Sequence, residues 1–109
     1  MLNIYVCEDH DVQRRAIVKI IQNTILIEEQ DMQLVLDTAD PYALLEKVKA
    51  SQNTGIYFLD IDLHSDINGM QLAQKIRLFD PRGFIIFITA HSELSYMTFQ
   101  YRVEAMDFV

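Results

Sequence analysis

Acidic side chains directly follow two apolar segments of this sequence. Glu8 and Asp9 come after the segment Leu2–Cys7, and Asp60 comes after the segment Ile56–Leu59. Three carboxylates packed together would repel one another and raise one another's pKa unless a cation lay among them. Mg²⁺ is a fitting cation, because it binds one or two carboxylates together with waters and phosphate oxygens. A carboxylate beside bound Mg²⁺, with the Thr89 hydroxyl opposite, would be suited to accept a phosphoryl group.

Each of these residues also has an ordinary structural explanation. At the start of a helix, Glu8 and Asp9 could act only as caps or partners of the helix dipole, and Thr89 could be a plain strand-end hydroxyl. Asp60 carries the strongest functional signal, because an unpaired carboxylate after four apolar residues would be costly to bury. The histidines at positions 10, 64 and 91 lack the spacing of metal ligands, and we expect them to be solvated.

These residues need a sheet that brings them to one edge, and the sequence predicts such a sheet. Apolar segments rich in β-branched and aromatic residues predict five strands, namely Leu2–Cys7, Met32–Leu36, Ile56–Leu59, Phe84–Ile88 and Ala105–Val109. Strands that are apolar on both faces indicate a parallel sheet covered by helices. Right-handed crossovers would then bring the carboxyl ends of the strands, with their acidic residues, to the same edge.

Segments of helical period separate the predicted strands. The first predicted helix carries an apolar face formed by Ile17, Ile20, Ile21, Thr24 and Ile25. Asp40-Pro41 supplies an N-cap and a first-turn proline for the second helix, and Asn68-Gly69 precedes the third. Ser92 could cap a fourth helix, which would carry Leu94, Met97, Thr98 and Tyr101 on one side.

The composition is that of one compact globular domain. The chain has 109 residues, of which 50% are hydrophobic and 23% are charged. Its formal net charge of −7 has the wrong sign for holding a nucleic-acid backbone. The single cysteine, Cys7, cannot form an internal disulfide, and we expect it to be a buried, inert thiol. With no signal peptide and no apolar run long enough for a membrane helix, we expect a cytoplasmic protein.

Several motifs of the chain resemble a response-regulator receiver domain. They are Glu8-Asp9, Phe58-Leu59-Asp60, Thr89-Ala90 and Ala105-Met106-Asp107-Phe108-Val109. Longer segments are similar to the Agr-type quorum-sensing regulators, whose effector is a LytTR DNA-binding domain. These segments are Ile4-Tyr5-Val6-Cys7-Glu8-Asp9, Tyr57-Phe58-Leu59-Asp60-Ile61, Asp66-Ile67-Asn68-Gly69, His91-Ser92-Glu93-Leu94 and Val103-Glu104-Ala105-Met106-Asp107-Phe108.

The resemblance implies a role for each matching position. Asp60 would be the phosphoacceptor, and Glu8, Asp9 and Asp60 would bind Mg²⁺ together with the main-chain carbonyl of Asp62. Thr89 would bind a phosphoryl oxygen. The switch residues would be Thr89 and Phe108, the latter acting by packing, since it lacks the hydroxyl of the commoner tyrosine. Where many receivers have Met-Pro after the acceptor, this chain has Leu63-His64-Ser65.

The resemblance also implies an architecture and partners. The fold would be α/β and doubly wound (flavodoxin-like, CheY-like), with a five-stranded parallel sheet in the order 2-1-3-4-5. Residues 1–109 would form a receiver domain without its last helix, the family's lysine would fall just beyond Val109, and a LytTR domain would follow. The partners would be a sensor histidine kinase and, on activation, a second copy in a homodimer. DNA would be bound only by the LytTR domain, and no membrane contact is expected.

The sequence is also compatible with two other classes of protein. Asp60-Ile61-Asp62 and Phe87-Ile88-Thr89 also look like the first two motifs of haloacid-dehalogenase-type phosphatases. In that Mg-dependent enzyme Asp60 would be the nucleophile and Asp62 the general acid. However, such enzymes place a lysine and a further acidic pair downstream, whereas the acidic pair here lies upstream. The third class is a pure interaction module whose acidic site no longer functions.

Overall fold

In a computed structural model, the chain adopts an α/β fold, in which α-helices cover both faces of a β-sheet. The structure describes residues 2–28 and 31–88, and the backbone of residues 101 and 102. The elements, in chain order, are β1 (Leu2–Cys7), α1 (Asp11–Glu28), β2 (Met32–Thr38), α2 (Pro41–Ala50), β3 (Gly55–Asp60), α3 (Gly69–Phe79), β4 (Phe84–Ile88) and β5 (Tyr101–Arg102).

The sheet has the spatial order β2-β1-β3-β4-β5. The first four strands are parallel, with β1 between β2 and β3, and β3 between β1 and β4. The predicted α/β class, the parallel sheet and the order 2-1-3-4 are therefore confirmed. The order reverses between β1 and β3, and open α/β sheets carry their sites beside the carboxyl ends of the strands at such a reversal.

The fifth position of the sheet differs from the prediction. Tyr101–Arg102 pairs antiparallel with β4, Phe87 facing Tyr101 and Ile86 facing Arg102. Placing Tyr101 in a fourth helix was therefore wrong. The edge of β4 offers backbone donors and acceptors that a strand can pair, and tyrosine suits a strand. The rest of the predicted fourth helix and the parallel strand Ala105–Val109 lie outside the described residues.

The predicted starts of α2 and α3 are confirmed. Asp40 accepts a hydrogen bond from the Tyr42 amide, and Pro41 occupies the first turn of α2. Asn68 accepts from the Gln71 amide while the Gln71 side chain accepts from the Asn68 amide, which forms a capping box. The last residue before α3 thus fixes the end of the loop that follows Asp60.

Among the described residues, the sheet separates two apolar cores of unequal size. On the face covered by α2 and α3, the buried residues are Tyr5, Cys7, Leu44, Leu45, Val48, Tyr57, Leu59, Leu63, Ile67, Leu72, Ala73, Ile76, Ile85 and Phe87. On the face covered by α1, the buried residues are Ile4, Val6 and Ile21. Cys7 is fully buried as predicted, and its burial raises the pKa of the thiol to about 12.

The predicted apolar face of α1 is only partly covered. Ile17, Ile21 and Ile25 pack toward the sheet, whereas Ile20 is 65% exposed and Thr24 is also exposed. An open apolar groove of about 300 Å³ lies between α1 and the sheet. Within the part of the chain that the structure describes, no helix combines the length and apolar character that a bilayer crossing needs.

Candidate functional site

The ends of β1 and β3 bring Glu8 and Asp60 side by side. Cys7 faces Leu59 in the parallel pairing of the two strands, so the next residues, Glu8 and Asp60, are neighbours at the edge of the sheet. One ligand oxygen each from Glu8, Asp9 and Asp60 lie within 4.8 Å of one another. They line a cleft of about 270 Å³, whose walls are Glu8, Asp9, His10, Gln13, Asp60, Asp62 and His64.

Glu8 is the most buried acid of this cluster, with 3% of its surface exposed. Burial, together with the charges of Asp60 and Asp9, raises the pKa of its carboxyl from 4.5 to about 8, although the His10 amide donates a hydrogen bond to Oε2 at 3.0 Å. At neutral pH and without a cation, Glu8 therefore holds a proton. This is the response expected of crowded carboxylates.

Asp60 is the last residue of β3 and is partly buried. Burial raises its pKa and the charge of Asp9 adds to the effect, against hydrogen bonds that favour the ionised form. One of these comes from the amide of Asp62, which donates to Oδ1 at 3.0 Å. Asp62 thus lines the cleft beside Asp60, and it also orients the Asp60 carboxylate through its backbone.

Asp9 behaves differently from its two acidic neighbours. Burial alone would raise its pKa, but hydrogen bonds and charge from His64 outweigh burial and lower it. The His64 amide lies 2.9 Å and its ring Nδ1 lies 2.8 Å from Asp9 Oδ2. Asp9 is therefore the acid of the cluster that ionises most readily.

Arg14 supports the same edge from the first turns of α1. Its guanidinium donates to the main-chain carbonyl of Glu8 at 2.9 Å and pairs with Asp11 at 2.8 Å. Its Nε lies 3.4 Å from a carboxylate oxygen of Asp37, near the end of β2. Arg14 thereby ties α1 and β2 to the segment that carries Glu8.

The donor set fits Mg²⁺. All three ligand groups are carboxylates, and Mg²⁺ prefers such oxygen ligands and retains several waters. Burial, to which the charges of neighbouring carboxylates add, raises the pKa values of Glu8 and Asp60, so the ionised forms of both groups are poorly stabilised without a cation. A divalent cation would stabilise these ionised forms, so these residues could hold one.

Two predicted site residues are not described by the structure, and two contacts of the site were unexpected. Thr89 and Phe108 lie outside the described residues; Thr89 directly follows Ile88, which pairs with Asp60. Two contacts of the site were not predicted from the sequence, those of His64 with Asp9 and of Arg14 with Glu8. His64 was expected to be merely solvated; its side chain is 90% exposed, but it is paired. Its place in the loop that follows Asp60 indicated a position near the cluster, but no pattern in the sequence indicated the contact itself.

The chain matches one family of known proteins over most of its length. Residues 4–109 match the family described as "Response regulator receiver domain". The chain therefore belongs to the response regulator receiver domain family. The match does not support the haloacid-dehalogenase-type phosphatase, the alternative that the sequence left open.

Among individual proteins, the chain is similar to regulators from two staphylococci. It is 55% identical over 108 residues to accessory gene regulator protein A of Staphylococcus epidermidis strain RP62A. It is 52% identical over 108 residues to accessory gene regulator protein A of Staphylococcus aureus strain N315. Each alignment covers 99% of this chain and 45% of the relative, so the chain spans less than half the length of these relatives.

Proposed function

We propose that this chain is the phosphoacceptor domain of a two-component response regulator and receives a phosphoryl group from a sensor histidine kinase on Asp60. The observation that carries the proposal is the cluster of Glu8, Asp9 and Asp60 oxygens within 4.8 Å, in a chain of the receiver family. The chain would act as a switch without a released product, and not as an enzyme that turns over a substrate. Its chemistry would be limited to its own phosphorylation and dephosphorylation.

In the proposed reaction, an oxygen of the ionised Asp60 carboxylate attacks the phosphorus of a phosphohistidine, in line with the leaving nitrogen. The new O–P bond forms as the N–P bond breaks, and the electron pair of the broken bond goes to the imidazole of the kinase. The Asp62 amide, 3.0 Å from Asp60 Oδ1, restrains the attacking carboxylate. When bound, Mg²⁺ would offset the negative charge that Asp60 and the incoming phosphoryl group share.

The residues that would hold Mg²⁺ are Glu8, Asp9 and Asp60, with the main-chain carbonyl of Asp62 as a further ligand. Thr89 would bind a phosphoryl oxygen, and Phe108 would act with it as a switch residue by changing its packing. The output would be a shift between two surface conformations.

We infer that this shift promotes a homodimer, and that residues 1–109 act as a receiver domain followed by a LytTR domain that binds promoter DNA. The support is similarity to relatives named accessory gene regulator protein A, which are more than twice as long as the matched segment. Control of transcription in peptide quorum sensing, in the cytoplasm, would then be the biological role. The chain's own net charge of −7 fits contact with DNA through another domain.

The nucleophile is tested by replacing Asp60→Asn, which keeps the shape of the side chain and removes the attacking charge. With acetyl phosphate and Mg²⁺, intact-mass spectrometry should show one phosphoryl group on the parent chain and none on the variant. The matched control is Asp62→Asn, which keeps the Asp62 amide and should still be labelled. The chains are extended beyond Val109 to include the lysine that the family resemblance implies.

Three outcomes would contradict the proposal. Equal labelling of the parent chain and the Asp60→Asn variant would place the phosphoacceptor elsewhere. Steady hydrolysis of a small phosphate ester, without a phosphorylated chain that persists, would favour a phosphatase. A parent chain that responds neither to Mg²⁺ nor to beryllofluoride, a phosphoryl mimic, would be an interaction module.

A further inference from the structure

His64 makes two hydrogen bonds to a single carboxylate oxygen in the acidic cluster. Its backbone amide lies 2.9 Å from Asp9 Oδ2, and its ring Nδ1 lies 2.8 Å from the same atom. An ionised carboxylate only accepts hydrogen bonds, so both nitrogens donate. The two residues are 55 positions apart in the chain, and His64 thereby joins the loop after β3 to the segment after β1.

The loop that carries His64 is held in place by other contacts. Leu63 before it and Ile67 after it are buried in the larger core. Asp66 accepts a hydrogen bond from the Tyr42 hydroxyl of α2 at 2.8 Å. The backbone amide of His64 is therefore presented to Asp9 by an anchored loop, and the exposed ring adds a second donor from the same direction.

We propose that His64 is a positioning residue for Asp9, one that holds this carboxylate toward Glu8 and Asp60 and so raises the affinity of the cluster for Mg²⁺. The inference rests on the metal site of the proposed function. A carboxylate that is already oriented loses less rotational freedom when it binds a cation. Hydrogen bonds to ligating carboxylates from an outer shell of residues are worth about 10- to 100-fold in metal affinity.

The test compares Mg²⁺ binding by the 109-residue chain and its variants, using isothermal titration calorimetry at pH 7.5 and constant ionic strength. His64→Ala removes the ring and keeps the backbone amide, and we expect it to weaken Mg²⁺ binding about tenfold. His64→Asn places an amide nitrogen close to the position of Nδ1, so it should restore most of the lost affinity.

Two controls separate orientation of Asp9 from a general effect on the loop. Ser65→Ala removes a hydrogen bond from Ser65 Oγ to Asp66 in the same loop, without touching the cluster, and should bind Mg²⁺ as the parent does. The melting temperatures without metal should be nearly equal for the parent, His64→Ala and His64→Asn, because an exposed side chain adds little to stability.

The outcomes distinguish this inference from the function on which it rests. If the parent chain binds no Mg²⁺, the proposed metal site itself fails. If the parent binds Mg²⁺ and His64→Ala binds it equally well or more tightly, the metal site stands and the role of His64 is refuted. An equal loss in His64→Ala and Ser65→Ala, or no recovery in His64→Asn, would also refute it.

Discussion

The buried carboxyl group of Glu8 makes the stability of the metal-free chain depend on pH. Its pKa in the folded chain is about 8, against an ordinary value of 4.5, and burial is the main cause. The folded chain therefore binds this proton more tightly than the unfolded chain does. Stability from this group is fully present below pH 4.5 and is lost as the pH rises toward 8.

We expect the free energy of unfolding in EDTA to fall by about 1 to 3 kcal/mol more in the parent chain than in Glu8→Gln between pH 5 and pH 8.5. Glutamine keeps the shape of the neutral acid and does not titrate. Urea denaturation at the two pH values measures the difference. Saturating Mg²⁺ should reduce the loss in the parent, because the cation replaces the proton. Identical pH profiles of the two chains would contradict this account.

The positions of the acidic residues in the cluster could be predicted from the sequence, whereas two of the contacts around them could not. The position of Glu8, Asp9 and Asp60 at one edge of the sheet could be predicted, because these residues follow apolar strands of a parallel sheet. The contact of His64 with Asp9 could not, since it depends on the path of a loop that has no regular period. The contact of Arg14 with Glu8 was missed for a related reason: Arg14 binds the main-chain carbonyl of Glu8, which no residue type reveals.

At the scale of elements, the start of α3 is pressed against the end of β3. The Gly69 amide donates to the carbonyl of Ile61 at 3.0 Å. A Cβ atom at position 69 would overlap the Asp60 carbonyl oxygen and would lie 2.8 Å from the Ile61 Cα. Glycine is needed here for close approach of two backbones, and the backbone it approaches is that of the proposed phosphoacceptor.

Gly69→Ala should therefore destabilise the chain by about 1 to 3 kcal/mol, because α3 and β3 must move apart to admit the methyl group. The shift should also weaken Mg²⁺ binding, since Asp60 moves with its carbonyl. Chemical denaturation and Mg²⁺ titration check both effects. Met70→Ala, at the next position of α3 and exposed, is the matched control and should change neither quantity much. A stable Gly69→Ala chain with unchanged Mg²⁺ affinity would show that the contact is easily relieved.

Strand boundaries were predictable where apolar residues define them. The predicted bounds of β1 and β4 are those of the structure, because both strands begin and end on apolar residues. The strand β2 continues two residues further than predicted, through Asp37 and Thr38. These polar residues resemble a loop in the sequence, but their backbones pair with Val6 and Cys7. Backbone pairing at the end of a strand leaves no apolar pattern to read.

At the scale of the whole molecule, the described residues pack the two faces of the sheet unequally. The core under α2 and α3 contains the large buried side chains Tyr57, Leu72 and Phe87, whereas α1 contributes Ile21 as its buried side chain. The exposed apolar residues Ile20, Leu26 and Ile27 lie on α1 as well. Less apolar surface is therefore removed from water where α1 meets the sheet.

This inequality predicts that the chain opens locally before it unfolds as a whole. Backbone amides near Ile17 and Ile21 in α1 should exchange with deuterium at least about tenfold faster than those near Leu72 and Ile76 in α3, because less burial opposes the opening of α1. Hydrogen exchange followed by NMR compares the two helices within one sample. Equal protection would mean that the sheet and both helices open as one unit. If α1 does open alone, Arg14 leaves the Glu8 carbonyl each time. Local unfolding would then also remove Gln13 from the wall of the acidic cleft at intervals.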